Sequence, residues 1–397
     1  MKSVKKIKVA FCIPDMVIGG VETVFVNTIE ELLKYPEFEI KIVSHTNISE
    51  PVYAEWLNNL PKVSQYVYYP LYRILEKGHK LFRVFPIKQI YKIFYSLYKK
   101  YRRILMWFRS DLRDVDVFID YKNMFFSKEL RYFNKPKIAW FHSSLMYFEM
   151  YESKKLKNSN QYDTYVALTD EFVSEIKERY PNFSNKIIRI YNIIKCSEIR
   201  KKSVIGAVGT GQYFCHVSRL VPGKDIITVL KAFDLFAKTH KDVSLYIVGD
   251  GNKRREFEEF AHNLNASSRI FFVGETQNPY GYIRGSLANI LSSEYEGLPT
   301  VVLETIALNR ICISSDCKNG PREILLNGTA GLLFDIGDFV QLSKHMSDVY
   351  NNCIDKEIMQ QKMSVSLKRF SAQSIGKQIS ELIKTAYIGH KSKKYNV

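Results

Sequence analysis

KIKVAFCIPDMVIGG, residues 6–20, joins a short apolar run to a loop that ends in two glycines. KIKVAFCIP has the length and apolar density of a buried strand, DMVIGG is a loop, and a helical pattern follows from Val21 to about Leu33. The basic start could open a secretory leader. Pro14 and Asp15 interrupt the apolar stretch, however, and no small-residue cleavage site follows, so a first strand is expected instead. Further along, EIKIVSH, DVDVFIDY (114–121), KIAWFHS (137–143) and TYVALT (164–169) read as strands with helices between them. Such alternation predicts an open parallel sheet.

The pattern restarts. FSNKIIRIYNIIKCSEIRKKSVIG (183–206) turns from apolar to basic and polar, which places a domain boundary near 195–205. Beyond it YFCHVSR, SLYIVGDG, RIFFVGE, ANILSS, ICISSD and AGLLFD read as strands, with helical segments through VLKAFDLFAK and from Pro299. A chain of 397 residues is longer than one core usually supports. The expected architecture is therefore α/β, with two similar sheets and a cleft between them.

Composition is that of a folded protein, with 46% hydrophobic, 14% aromatic and 25% charged residues. A formal charge of +17 implies an anionic partner: nucleic acid, an acidic membrane face or a phosphorylated substrate. The six cysteines have no CxxC pair and are expected to be reduced thiols. No apolar run approaches the ~18–20 residues of a spanning helix, so a soluble or peripheral protein is expected.

Three segments carry chemistry. Gly19-Gly20 lies between strand and helix, where it is either a plain turn or a place for backbone N–H groups to approach a phosphate. The third glycine of a dinucleotide fingerprint is missing, which argues against nicotinamide binding. In HVSRLVPGKDIITVLKAF, Arg219 closes a strand and Lys224 precedes a helix; the two are ordinary surface charges or a pair suited to a departing diphosphate. SSEYEGLPTVVLETIALNR (292–310) sets Glu296 before a helix and Glu304 in its second turn, with Pro299 expected at the first helical position. A carboxylate on that apolar helix is costly to bury unless it accepts strong hydrogen bonds, which sugar or ribose hydroxyls supply; otherwise it is a charge at a helix start.

Glu296, seven residues and Glu304 resemble the E-x7-E signature of the retaining glycosyltransferases of family 4, whose fold is GT-B, two facing Rossmann-like domains with a central cleft. Gly19-Gly20-Val21-Glu22 resembles that family's G-G-x-E, SRLVPGK its R-L-x-x-x-K, Asn192 its linker asparagine, Gly249-Asp250-Gly251 its G-x-G loop, and NGPREIL the segment after the E-x7-E helix. The resemblance implies domains at 1–197 (acceptor), 198–371 (nucleotide-sugar) and a 372–397 helix and tail crossing back. It implies that Arg219 and Lys224 bind the donor diphosphate, Glu304 the ribose, and Glu296 the transferred sugar, with Gly297, Leu298, Pro299 and Thr300 helping through their backbone. Gly19 and Gly20 would approach the phosphates, Gly249 and Gly251 would border the donor, Val273, Gly274 and Glu275 would border the base, and His142 would face the sugar unless it is simply a packed strand-end histidine. Asp225, Asn309-Arg310 and the linker N-I-I-K depart from the family pattern without touching the charged set.

The implied reaction is transfer of a hexose from a nucleotide sugar, expected to be a UDP-sugar, to a hydroxyl of a lipid-linked or surface glycan such as lipopolysaccharide or capsule. No cofactor is expected. Asp114-x-Asp116 resembles a D-x-D metal site, but it opens a strand far in sequence from the phosphate cluster, and metal-independent activity is expected. Residues 66–113 hold twelve Lys or Arg and two acids among many aromatics, which suits an anionic membrane interface or a solvated helix pair. The expected partners are thus the donor, the glycan acceptor and the cytoplasmic face of an inner membrane, without nucleic acid. A GT-B epimerase or phosphorylase, and a non-catalytic basic membrane- or nucleic-acid-binding protein, are the alternatives.

Overall fold

The computed structural model describes residues 5–395 apart from 18, 49, 61–62, 68–86, 153–158 and 206–208. The first sheet holds β1 (Ile7–Ile13), β2 (Phe38–Ser44), β3 (Val63–Val67), β4 (Val117–Asp120), β5 (Lys137–Trp140), β6 (Thr164–Ala167) and β7 (Ile187–Arg189). All pairs are parallel, in the order β3-β2-β1-β4-β5-β6-β7. The second holds β8 (Gln212–Val217), β9 (Val243–Val248), β10 (Ile270–Gly274), β11 (Ala288–Leu291), β12 (Ile311–Ser315) and β13 (Leu332–Phe334), also parallel, in the order β10-β9-β8-β11-β12-β13. Strand order reverses beside β1 and beside β8, and at such switch points the carboxyl ends of parallel strands leave a crevice.

Burial explains why these strands were readable. In β4, β5 and β11 every residue is buried, as expected for parallel strands covered on both faces by helices. One face of the first sheet packs Val9, Phe11 and Ile13 with Phe25 and Ile29 of the helix Gly20–Leu32. The other packs Ala10 and Cys12 with Phe118, Phe126 and Tyr165.

Two boundaries differ from the sequence reading. β4 begins at Val117 because Asp114 and Asp116 are taken up by Lys8: its backbone N–H donates to Asp116 at 3.0 Å and its ammonium pairs with Asp114. The D-x-D resemblance thus falls on residues that tie down the first strand. Pro299 is the N-cap, in extended conformation (φ −69, ψ 106), and Thr300 is the first helical residue. Asp225 (φ 44) and Asn309 (φ 54), two of the departures from the family pattern, adopt the left-handed backbone that Asp and Asn tolerate best after glycine.

The chain passes between the domains twice. Ile194 and Ser371 form a parallel bridge, with Ile194 N–H donating to the Phe370 carbonyl at 3.0 Å. The helix Ala372–Tyr395 then lies on the helix Gly20–Leu32, where Gly376 leaves room for Glu31 and Lys384 pairs with Glu37 at 2.6 Å.

Candidate active site

The carboxyl ends of the two sheets face each other across a cleft of about 380 Å³. At the end of β8 the chain turns through Ser218 and Arg219. Gly249, at φ +132, lies so close that a Cβ would sit 1.9 Å from the Ser218 carbonyl oxygen, so only glycine lets these two loops meet. Lys224 closes the same turn; its ammonium donates to Glu296 Oε1 at 2.6 Å, and Ser293 Oγ donates to the same oxygen at 2.7 Å. Arg219 is exposed and makes no ion pair among the described residues, so its guanidinium is open to an anion.

Two helix starts converge on this charge. The helices Gly20–Leu32 and Thr300–Ala307 begin on opposite walls, so close that a Cβ on Gly20 would lie 2.9 Å from Thr300 Oγ1. Each start presents unpaired backbone N–H groups and about half a positive charge. Gly297 is equally tight, since a Cβ there would lie 2.3 Å from the His142 carbonyl oxygen of the other domain.

Glu304 lies at the floor, with no hydrogen-bond partner for its carboxylate among the described residues. Burial pushes its carboxyl up to about 7, opposed only by the charge of Lys202. Such a group calls for donors from a ligand. His142 lies against Tyr121 and Trp140, and neither ring nitrogen meets a polar side chain. Burial, helped by the positive charge of Lys122, depresses it to about 3, so the imidazole is neutral at physiological pH. The His142 backbone is fixed by Asn123, whose Oδ1 accepts its N–H at 2.8 Å.

Of the residues singled out in the sequence, the cleft brings together Gly19, Gly20, His142, Arg219, Lys224, Gly249, Glu275, Glu296, Gly297, Leu298, Pro299, Thr300 and Glu304. Three stand behind its wall. Gly251 packs against the Leu220 carbonyl, and Gly274 (φ +87) accepts the Gly249 N–H at 2.8 Å at the end of the sheet, next to Val273. Ser218, Thr276, Gln277 and Tyr280 also line the cleft and escaped the sequence reading. Ser218 could have been found, since it directly precedes Arg219 at a strand end; Tyr280 nears Glu304 only through tertiary packing. Among the described residues no three His, Cys, Asp or Glu side chains group closely enough to hold a metal ion, and no helix is long and apolar enough to cross a membrane.

Residues 197–364 match the family described as Glycosyl transferases group 1. The match covers 168 of the chain's 397 residues. It contains Arg219, Lys224, Glu296 and Glu304, while Gly20 and His142 come from the preceding domain. The chain is 30% identical over 121 residues to a lipopolysaccharide 1,6-galactosyltransferase of Salmonella typhimurium, covering 30% of this chain and 34% of the relative. It is 26% identical over 164 residues to the N-acetylgalactosamine-N,N'-diacetylbacillosaminyl-diphospho-undecaprenol 4-alpha-N-acetylgalactosaminyltransferase of Campylobacter jejuni, covering 41% and 44%. These matches span less than half the length of the relatives. In structure the chain is similar to TarM of S. aureus (TM-score 0.72, 14% identity, 96% of this chain and 100% of TarM). It is also similar to Anabaena HepE in complex with UDP (TM-score 0.70, 14% identity, 96% and 100%). At that identity the likeness establishes the fold: beside the matched domain stands a second Rossmann-like domain, in the GT-B arrangement.

Proposed function

We propose that this protein is a retaining glycosyltransferase that moves a sugar from a nucleotide donor, a UDP-sugar, to a hydroxyl of a lipid-linked or surface glycan. The observation that carries this reading is the convergence on one cleft of the Lys224–Glu296 pair, the open Arg219, two helix starts and the unpartnered Glu304. A diphosphate lies between Arg219, Lys224 and the helix starts, the ribose hydroxyls donate to Glu304, and the sugar reaches Glu296, Gly297 and the neutral His142. As the bond from the anomeric carbon to the diphosphate oxygen breaks, Arg219 and Lys224 take up the charge on the leaving group. The acceptor hydroxyl forms its new bond on the same face and gives its proton to the departing phosphate. Leaving-group stabilisation is thereby assigned to side chains and backbone, without a divalent ion. Support for the donor class comes from the UDP complex of HepE, and for the acceptor class from the relatives named for lipopolysaccharide and for a diphospho-undecaprenol glycan.

A thermal-shift panel of UDP, GDP and ADP with a chelator present tests the reading. UDP at 100 times its dissociation constant stabilises a protein by about 2.7 kcal/mol, so it should raise Tm by several degrees while GDP and ADP do less. A flat response to all three sinks it. UDP release that depends on acceptor separates a transferase from the epimerase or phosphorylase alternative.

The acceptor's setting is read from the helix Ile87–Phe108. Ile93, Phe94, Leu97, Tyr101, Ile104 and Phe108 are 56–61% exposed, and their spacing places them along one face. Lys92 and Lys100 are exposed on the same helix. The opposite face is anchored, with Met106 buried and the Arg102 guanidinium donating to the Val67 carbonyl at 3.2 Å, at the carboxyl end of β3. Residues 68–86 of the same basic region lie outside the described residues. An apolar stripe with flanking cations at the cleft end of the sheet suits the interface of an anionic bilayer, which would hold a lipid-linked acceptor near the donor. Replacing Lys92 and Lys100 by glutamine should weaken binding to anionic vesicles by about 1 kcal/mol per charge, and replacing Phe94, Leu97 and Ile104 by serine should abolish it. Undiminished vesicle flotation by the triple variant would remove the stripe from the interface.

A further inference from the structure

Away from the charged pair, the two domains are held together by a network centred on the NGPREIL segment, Asn319–Leu325. The helix Asp170–Arg179 of the first domain starts where the loop after β12 of the second domain arrives. At the centre is Asn319, 1% exposed and in the left-handed region (φ 67). Its backbone N–H donates to Glu171 Oε2 at 2.7 Å, its Nδ2 donates to Glu175 Oε2 at 3.3 Å, and its Oδ1 accepts from the Thr169 hydroxyl at 3.1 Å. Thr169 is fully buried and is itself the cap of that helix. On one side Lys318 pairs with Glu175 at 2.8 Å. On the other, Glu323 accepts the Asp170 N–H at 3.1 Å and the Tyr191 hydroxyl. Each of these bonds crosses from one domain to the other.

The network does not stop at the interface. Gly320, at φ +119, lies directly under Pro299, where a Cβ would come within 2.5 Å of the proline Cδ. Two residues back from Pro299, Gly297 rests on the His142 carbonyl of the first domain. Asn319 therefore sits at the base of the loop 296–299, which is clamped between Gly320 below and His142 above. We propose that Asn319 is a positioning residue that locks the two domains in register and, through Gly320, fixes the loop Glu296–Pro299 against His142. This inference rests on reading that loop as part of the donor site.

Asn319→Asp tests it. The substitution keeps the size and the tolerance for a left-handed backbone, but it replaces a donor by a carboxylate beside Glu171 and Glu175. Misplacement of a reacting loop by about 1 Å can cost on the order of 10²-fold in rate, and a fall of that size in kcat is expected. UDP affinity, measured by calorimetry, should stay near the wild-type value, because the proposed diphosphate and ribose contacts other than Gly20 lie in the second domain. The radius of gyration of the nucleotide-free variant, from small-angle scattering, should rise as the domains separate. Adding Glu175→Gln places a donor opposite the new carboxylate and should recover part of kcat and the compact scattering profile. Asn319→Gly, which keeps the backbone and removes the side chain, should give an intermediate loss with Tm within a few degrees of wild type. Unchanged scattering and kcat in Asn319→Asp would overturn the proposal, and so would a double variant no better than the single one. Failure of the wild-type protein to bind UDP would overturn the donor reading alone, since the scattering comparison still decides the lock.

Discussion

Lys224→Ala is expected to lower kcat by roughly 10²- to 10³-fold, the loss seen when one preorganised partner of a developing anion is removed. Lys224 is held in place twice: its carbonyl accepts the Ser292 hydroxyl at 2.7 Å, and its ammonium is bound by Glu296 at 2.6 Å. Truncation leaves the backbone turn intact, so the fold should survive. It also leaves the Glu296 carboxylate with Ser293 alone, placing an uncompensated negative charge beside the incoming diphosphate. The double variant Lys224→Ala, Glu296→Ala discriminates between two roles for the glutamate. If Glu296 only holds the lysine, the double variant should match or exceed the single lysine variant; if it also contacts the sugar, the double variant should be slower still. A loss of less than about 5-fold for Lys224→Ala, in an acceptor-dependent transfer assay, would remove it from leaving-group stabilisation.

Parallel sheets make unusually legible sequences, and this chain is an example. Strands covered on both faces, such as those holding VFI (117–119) and ICI (311–313), read as short apolar runs between helices. The edge strand VSQYV was missed because only Tyr66 in it is buried, so its composition is that of a loop. In the site, the local features were visible because each sits in a turn at a strand end: Gly19-Gly20, Arg219 to Lys224, and Glu296 to Glu304. Their mutual arrangement was not. Lys224 and Glu296 read as separate ligands of a diphosphate and a sugar, yet they are 72 residues apart in sequence and bonded to each other. The loop–His142 contact through Gly297, and the Asn319 network across 150 residues to Thr169, likewise exist only once the domains are apposed. The helix Ile87–Phe108 shows the same limit. Its apolar residues occupy two faces, and sequence could not say that Met106 would be buried while Leu97 and Ile104 stay exposed.

Glu304 carries the second large effect, on stability and binding in opposite directions. Burial raises its carboxyl from the ordinary 4.5 to about 7 in the folded protein. Well below pH 4 the folded and unfolded chains both hold the proton, and the group contributes nothing to their difference. Between the two values the unfolded chain gives up its proton first, so stability falls as pH rises. Above pH 7 the folded protein bears the whole cost of an ionised, unpartnered carboxylate, about 3 kcal/mol for a displacement of that size and less where cleft water screens it. Glu304→Gln removes the ionisation, so its Tm should match wild type near pH 4 to 5 and exceed it by several degrees at pH 8. Ligand binding should run the other way. Two ribose hydroxyls donate best to an ionised carboxylate, so wild-type affinity for UDP should tighten from pH 6 to pH 8, with a proton released on binding near neutrality. In the glutamine variant affinity should be weaker by about 10-fold or more, the value of hydrogen bonds to a charged group, and nearly independent of pH. Calorimetry and thermal melts of both proteins across pH 5 to 8 measure all four quantities. A wild-type stability that rises through this range relative to the variant, or a UDP affinity equal in the two proteins, would take Glu304 out of the ribose site. The same buried carboxylate that weakens the empty protein would be the one that a nucleotide satisfies, and that opposition is what distinguishes a binding group from a packing defect.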